Sequence, residues 1–331
     1  MKKIAVVILN WNGQKLLEQF LPVLLRYSDA ATVYVADNAS TDSSVAYVQQ
    51  HFSEVRIIRN AENYGFAKGY NEALRSVAEP YYALVNSDIE VTQNWLAPIL
   101  SAFEQQPEIA ILQPKILDYK NKLLFEYAGA AGGFIDRFGY PFCRGRLFDT
   151  IESDHGQYND SHDIFWASGA CFFIRKSAYE ELKGFDADFF AHQEEIDLCW
   201  RAFNKGMRSR YIPESTVYHV GGATLEQSNP KKTYLNFRNS LIMLVKNLPA
   251  SVLLPVILAR LVLDGLAGVQ FLLKAQPRHC LAVIRAHFAF YAVLRASYRK
   301  RDTVQLPRYY RVRSIVWDYY ARGKRTFDSL F

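Results

Sequence analysis

Two places along this chain hold carboxylates in settings that could do chemistry, and the first offers a single acid. The apolar run Tyr81–Val85 stops at Asn86-Ser87-Asp88, ahead of a helical pattern that begins near Trp95. A strand ending in a small polar cluster delivers its acid to the carboxyl edge of a sheet, where open α/β sheets bind ligands. One carboxylate there, completed by phosphate oxygens, suits a hard divalent cation, Mn2+ or Mg2+. Asn, Ser and Asp are equally ordinary turn residues. The second place is Glu194-Glu195-Ile196-Asp197-Leu198-Cys199-Trp200-Arg201. Ile196, Cys199, Trp200 and Phe203 recur at i, i+3, i+4 and i+7, so one helix face is buried and Glu194 and Glu195 fall in the first turn. Acids in a first turn also suit the helix dipole without chemical duty, and Asp197 with Arg201 suits an i,i+4 ion pair.

The elements that must position these acids repeat as strand, polar loop and helix. Ile4–Leu9 is a continuous apolar run, the pattern of a strand buried on both faces, and it stops at Asn10-Trp11-Asn12-Gly13. Thr32–Ala36 ends at Asp37-Asn38-Ala39-Ser40-Thr41-Asp42, which supplies N-cap candidates for the next helix. Val55–Ile58 is followed by Asn60, Asn63 and Gly65, then by a helix over about Ala67–Val77 that carries Asn71. Alternation at this spacing predicts an α/β fold, a mostly parallel sheet with helices on both faces. All four strands end in, or just before, Asn and Asp clusters. A dinucleotide fold would place its ribose-binding acid at Asp37, but the first loop lacks G-x-G-x-x-G, and the chain has no G-x-x-x-x-G-K-[ST]. Without a glycine cradle, a diphosphate must be neutralised otherwise, which favours a sugar nucleotide over NAD or ATP.

Taken in order, Val6–Gly13, Val35–Asp42, Asn63–Asn71 and Leu84–Asp88 resemble successive motifs of family 2 glycosyltransferases, most like rhamnosyltransferases. The likeness continues through Trp166–Ala170, Gly184–Asp186, Glu194–Arg201 and His219, and covers roughly residues 1 to 245. It implies an inverting GT-A enzyme that uses a nucleotide-diphosphate sugar, with a uridine or thymidine donor. It also implies roles: Asn10, Asp37, Asn63 and Asn71 around the nucleotide; Asp88 and His219 on the metal; and Glu195, with Glu194 second, as the general base. The family's usual Asp-x-Asp stands here as Asn86-Ser87-Asp88, which leaves Asp88 as the main metal ligand. Ile164–Ile174 reads as a strand interrupted at Ser168-Gly169-Ala170, where Gly169 permits close ligand approach. Trp166 suits either an acceptor platform or the core. Residues 121 to 146 read as a mobile, partly extended loop or hairpin, and Arg238 or Lys232 could contact phosphate.

The domain division expected is 1–247 for the GT-A unit (1–115 nucleotide-sugar half, 116–247 acceptor half) and 248–331 for a basic, apolar helical tail. From Phe271 to Phe331 there are thirteen Lys and Arg against three Asp, whereas the preceding residues are slightly acidic. Leu248–Leu273 and His279–Tyr298 are strongly apolar but interrupted by Arg260 and Asp264, and by Arg285, His287 and Arg295. Such runs fit helices lying on a membrane surface, or a cap on the catalytic domain or on a second copy in a homodimer. Tyr309-Tyr310, Trp317 and Tyr319-Tyr320 would suit headgroup depth. No nucleic-acid module is present to use them. Four cysteines without C-x-x-C spacing read as reduced thiols, and only six apolar residues follow Lys2-Lys3, too few for a signal peptide. The expectation is a cytoplasmic enzyme, peripheral on the inner face of the membrane, extending a glycan or lipid-linked acceptor. The alternative is a catalytically weak sugar-nucleotide-binding scaffold.

Overall fold

The computed structural model describes residues 2–221 and 229–331. The expected alternation is present: β1 (Ile4–Asn10), α1 (Gln14–Arg26), β2 (Ala31–Asp37), α2 (Ser44–His51), β3 (Arg56–Arg59), α3 (Gly65–Leu74), β4 (Tyr81–Asn86), β5 (Ile89–Val91), α4 (Ala97–Gln105) and β6 (Ile109–Asp118). The strands β7 (Gly133–Ile135), β8 (Pro141–Cys143), β9 (Arg146–Leu147), β10 (Thr150–Ile151), β11 (His162–Ile164) and β12 (Cys171–Arg175) come next. They lead into α5 (Lys176–Glu181), α6 (Glu194–Asn204), β13 (Arg208–His219), α7 (Pro230–Asn247), α8 (Ala250–Leu273), α9 (Pro277–Arg299) and α10 (Ile315–Tyr320).

The main sheet runs β11-β13-β6-β12-β4-β1-β2-β3, with β5 beside β13. Its β3-β2-β1-β4 half is parallel, so β1, β2 and β4 all deliver their polar ends to one edge. The other half is mixed, because β12 runs antiparallel to both β4 and β6. Apolar residues fill both faces, as the uninterrupted runs predict: Val6, Val7, Leu84 and Val85 are all inaccessible to solvent.

One expectation needs correction, and two alternatives are decided. Ile164–Ile174 is not one broken strand: β11 sits at the sheet edge on β13, while β12 lies six residues later between β4 and β6. Of the two readings for 121–146, the hairpin is seen, β7 pairing antiparallel with β8. The stretch contributes β7, β8 and β9 to a second, four-stranded sheet with buried Phe125, Phe134 and Phe142. Its glycines serve close packing, since a Cβ on Gly133 would lie 2.0 Å from the Trp166 ring. The tail packs on the catalytic domain, as its cap reading expects, and residues 309–331 return to this small sheet. Asp136 accepts from the Ile315 N–H at 3.0 Å, Tyr309 stacks on Trp200, and Phe327 packs on Phe134 and Phe142.

The charges that interrupt the apolar helices explain how they dock. Val256, Arg260, Asp264 and Gly268, at every fourth position, form the buried stripe of α8. Arg260 donates to the Phe138 carbonyl and to Ser240, while Asp264 lies 3.2 Å from His287 of α9. The outward stripes are apolar: Leu254, Leu258, Val262, Leu266 and Val269 on α8, and Leu281, Ile284, Phe288 and Tyr291 on α9. By length and composition both helices suffice to cross a membrane.

Candidate active site

At the sheet edge, Asn10 and Asp37 are cross-strand partners. The Asn10 amide donates to Asp37 at 3.3 Å and to Ser40 at 3.2 Å, and Asp37 also accepts from the Ser40 N–H. The Asn10 side-chain carbonyl oxygen is buried without a partner, an acceptor left for a ligand. Much of the surrounding carboxamide wealth is structural. Asn38 joins Asn60, Asn63, Tyr64 and the Gly65 carbonyl, tying the loop after β3 to the tip of β2. Asn63 accepts from Asn38 and from the Gly65 N–H. Asn71 is committed elsewhere: its amide donates to the Phe185 carbonyl and accepts from the Phe185 N–H and the Tyr179 hydroxyl. Trp166 is core rather than platform, 3% exposed, with its indole N–H on the Phe134 carbonyl.

The short turn from β4 to β5 brings Asp88 beside the end of β13, where His219 pairs with Ile89. His219 Nε2 lies 3.2 Å from Asp88, and Nδ1 lies 3.2 Å from Glu126. All three are buried. Burial opposes charge on this imidazole, but Glu126 and Asp88 outweigh it and raise its pKa to about 10. A ring nitrogen 3.2 Å from a carboxylate on each side favours positive charge there, either as an imidazolium or as a metal ion that Asp88 and Nε2 would share, with Glu126 behind Nδ1. The second arrangement is the usual carboxylate–histidine–metal relay. Among the described residues, no group of three or more His, Cys, Asp or Glu converges as a ready-made metal cluster. Asp88 and His219 nevertheless fit a hard cation whose remaining positions are filled by diphosphate oxygens and water. Glu126 was missed in the sequence because its segment read as loop.

Glu194 and Glu195 open α6, as the periodicity predicts. Each has one carboxylate oxygen buried without a partner, as do the Gln193 side-chain carbonyl and His192 Nε2. Burial raises the Glu195 carboxyl to about 7, against backbone N–H bonds that favour its charge. Burial and the adjacent Glu195 hold Glu194 well above the ordinary carboxylate range. The turn that presents them is strained, with Phe190, His192 and Gln193 at φ of 62°, 70° and 73°. Asn239 of α7 holds it, its amide reaching the carbonyls of Phe189, Ala191 and His192 at 2.7–3.0 Å. Arg238 donates to the Asp188 and Phe189 carbonyls, so its fork is used in the same clamp rather than on phosphate.

One loop ties the two acid centres together. The Asn86 N–H, two residues before Asp88, donates to the Ala170 carbonyl at 2.9 Å. A Cβ on the adjacent Gly169 would touch Glu195 at 3.7 Å. Half-buried Lys232 is electrostatically coupled to Glu126 on one side and to His192 on the other, and burial lowers its pKa.

Residues 5–183 match the model of glycosyl transferase family 2. An N-acetylglucosaminyl-diphospho-decaprenol L-rhamnosyltransferase of Mycobacterium tuberculosis is 26% identical over 235 residues, covering 65% of this chain and 75% of that protein. Among solved structures, a Pyrobaculum calidifontis mannosyltransferase in complex with GDP-Man and Mn2+ superposes with a TM-score of 0.54 at 15% identity, over 87% of each chain. GalNAc-T7 with UDP, GalNAc and Mn2+ superposes with a TM-score of 0.59 at 15% identity, over 76% of this chain, which spans about half (49%) of that one.

Proposed function

From the premise that the chain belongs to glycosyl transferase family 2, and is therefore a glycosyltransferase, we infer that it is an inverting, metal-assisted enzyme. In this reading it moves a hexose or deoxyhexose from a UDP- or dTDP-sugar to a hydroxyl of a lipid-linked or surface-glycan acceptor. The carrying observation is the pair of buried, under-satisfied acid centres, Asp88–His219–Glu126 and Glu194–Glu195, joined through the Asn86–Ala170 bond and Gly169.

Asp37 and the open Asn10 oxygen take the nucleoside, with Asn63 and Asn86 at the rim of the same edge. Asp88 and His219 hold Mn2+ or Mg2+, and Glu126 orients the imidazole. When bound, such a cation offsets the negative charge growing on the leaving diphosphate. Glu195, kept near neutrality by burial, accepts the proton of the attacking hydroxyl, a contribution of about 10²–10⁴-fold. Burial and the neighbouring Glu195 favour the protonated form of Glu194, which lessens the negative charge beside Glu195. The acceptor reading draws on the name of the M. tuberculosis relative, whose acceptor is a diphospho-decaprenol. It draws equally on the apolar outer stripes of α8 and α9, which suit a peripheral position on the inner face of the membrane.

Nucleotide release tests the proposal. With a panel of UDP- and dTDP-sugars, Mn2+ and a membrane lipid extract, at least one donor turns over in an extract-dependent manner. Binding of a donor without any release would instead favour a sugar-nucleotide-binding scaffold, the reading that the Asn86 variant of the metal motif supports.

A further inference from the structure

Next to the acids of α6 lies a buried charge network that the proposed chemistry does not use. Lys246, near the end of α7, is 3% exposed, and its ammonium lies 2.7 Å from both Asp186 and Asp197. Asp197, on α6, is inaccessible to solvent. It also accepts from Arg201 at 2.9 Å and, through its other oxygen, from the Asn247 amide at 2.8 Å. Burial opposes charge on this carboxyl, but Lys246 and Arg201 outweigh it and hold the pKa below the ordinary carboxylate range. Arg201 directs the rest of its fork to the Leu182 and Gly184 carbonyls. From the end of α9, Lys300 reaches Asp186 at 2.6 Å and Asp188 at 2.7 Å. Asp186, Asp188 and Asp197 are thus balanced by Arg201, Lys246 and Lys300.

A buried ion pair is weak evidence for stability, because desolvation offsets most of the attraction. The placement of this one points to the base. Asp197 follows Glu194 by three residues, so the two are neighbours on one helix face. Burial acts most strongly on the Glu194 carboxyl, then Glu195, and Asp197 pushes it up further. His192, in the adjoining turn, is held neutral, its pKa lowered to about 4 by burial and by Lys232. The Cys199 thiol, one turn on from Glu195, is pushed up to about 12 by burial. The facing loop presents uncharged Gly169. The fixed charge that bears on the acid pair is therefore that of Asp197, and Lys246 with Arg201 cancels it. The same ammonium ties α6 to Asp186, ahead of the strained turn, and lies 5.1 Å from the Phe189 ring on the way into that turn.

We propose that Lys246 is a positioning residue for the base: it fastens the first turn of α6 to the segment that leads into it, and it screens Glu194 and Glu195 from the charge of Asp197. The inference rests on Glu195 as the base and adds the residue that tunes it. Its test is the titration of Glu194 and Glu195 in the full chain, followed by 13C NMR with the label at the glutamate side-chain carboxyl carbon. Glu194→Gln and Glu195→Gln assign the two signals, which titrate as a pair. In the wild type the Glu195 step falls at about pH 7. Lys246→Met raises that midpoint by about one pH unit, and Asp197→Asn lowers it by a similar amount. Asp197→Asn/Lys246→Met returns it close to the wild-type value. Nucleotide release follows the same order, with kcat/KM at pH 6 about tenfold lower in Lys246→Met and recovered in the double variant. A purely structural ion pair would lower the rate at every pH and leave the midpoints in place, which would overturn the proposal. So would single variants that move the midpoint in the same direction. Asp197→Asn preserves the side-chain shape and the Asn247 bond. Should Lys246→Met not fold, Asp197→Asn carries the test alone, and an unmoved midpoint overturns the proposal. Midpoints that move as stated while Glu195→Gln transfers sugar at the wild-type rate would leave the tuning of the acid pair standing and remove only the base assignment.

Discussion

In the role proposed for it, Glu195 has to be both poorly solvated and able to accept a proton, and its surroundings reconcile the two demands. Burial of one oxygen lifts its pKa to about 7, while the backbone N–H groups of the first helical turn keep the anion within reach. The sign of the pH dependence follows. The base works only when ionised, so kcat/KM falls about tenfold per unit below neutral pH and levels off above it. A profile flat from pH 5 to 8 would contradict this. On the metal side, Glu126 acts only through His219, whose Nδ1 it faces at 3.2 Å. Glu126→Gln is expected to raise the Mn2+ concentration needed for half-maximal activity by about 10–100-fold while leaving the maximal rate nearly intact. An unchanged Mn2+ titration would remove Glu126 from that role.

Helices and loops decide whether these residues meet, and here the chain depends on a residue far from either acid in sequence. Asn239 closes the strained 190–193 turn through three carbonyls. Asn239→Ala should cost about 1–3 kcal/mol in denaturant unfolding, the penalty for unsatisfied buried polar groups. It should also lower kcat more than it weakens donor binding, because the nucleotide edge lies on other elements. Loss of donor affinity with kcat preserved would contradict that division. The strand ends were readable in advance because apolar runs on a parallel sheet must finish at a shared edge, which placed Asp37 and Asp88 there. Helical spacing placed Glu195 in a first turn. The roles proposed for Asp37 and Glu195 came from the family resemblance. Asn71, Trp166, Glu126 and Asn239 were not legible in that way. A carboxamide that holds a turn and one that holds a ligand have the same sequence signature, and a glycine-rich segment says nothing of the sheet it joins until Gly133 is seen against Trp166. Nor did the periodicity reveal that β12 would enter the sheet antiparallel.

At the scale of the whole molecule, the C-terminal quarter packs on the catalytic domain through one face of its helices and turns an apolar face outward. Its inner stripe carries the charges that interrupt the apolar runs, and its outer stripe carries none on α8 from Leu254 to Val269. Because Tyr309, Ile315 and Phe327 complete the core around the small sheet, a chain cut at residue 248 should aggregate rather than become a soluble enzyme. The informative change is on the surface. Leu258→Glu/Val262→Glu/Leu266→Glu, at positions 54%, 66% and 61% exposed, should leave thermal stability within a few degrees of wild type and abolish sedimentation with anionic vesicles. Full pelleting of that variant would place membrane attachment elsewhere.

The account as a whole turns on Glu195 facing the donor held at Asp88. Its most direct test is Glu195→Gln, assayed for sugar transfer and, on the same preparation, for nucleotide-sugar affinity in the presence of Mn2+. Transfer should fall by about 10²–10⁴-fold with donor affinity unchanged within a factor of a few; a variant that still transfers sugar at the wild-type rate would contradict the assignment.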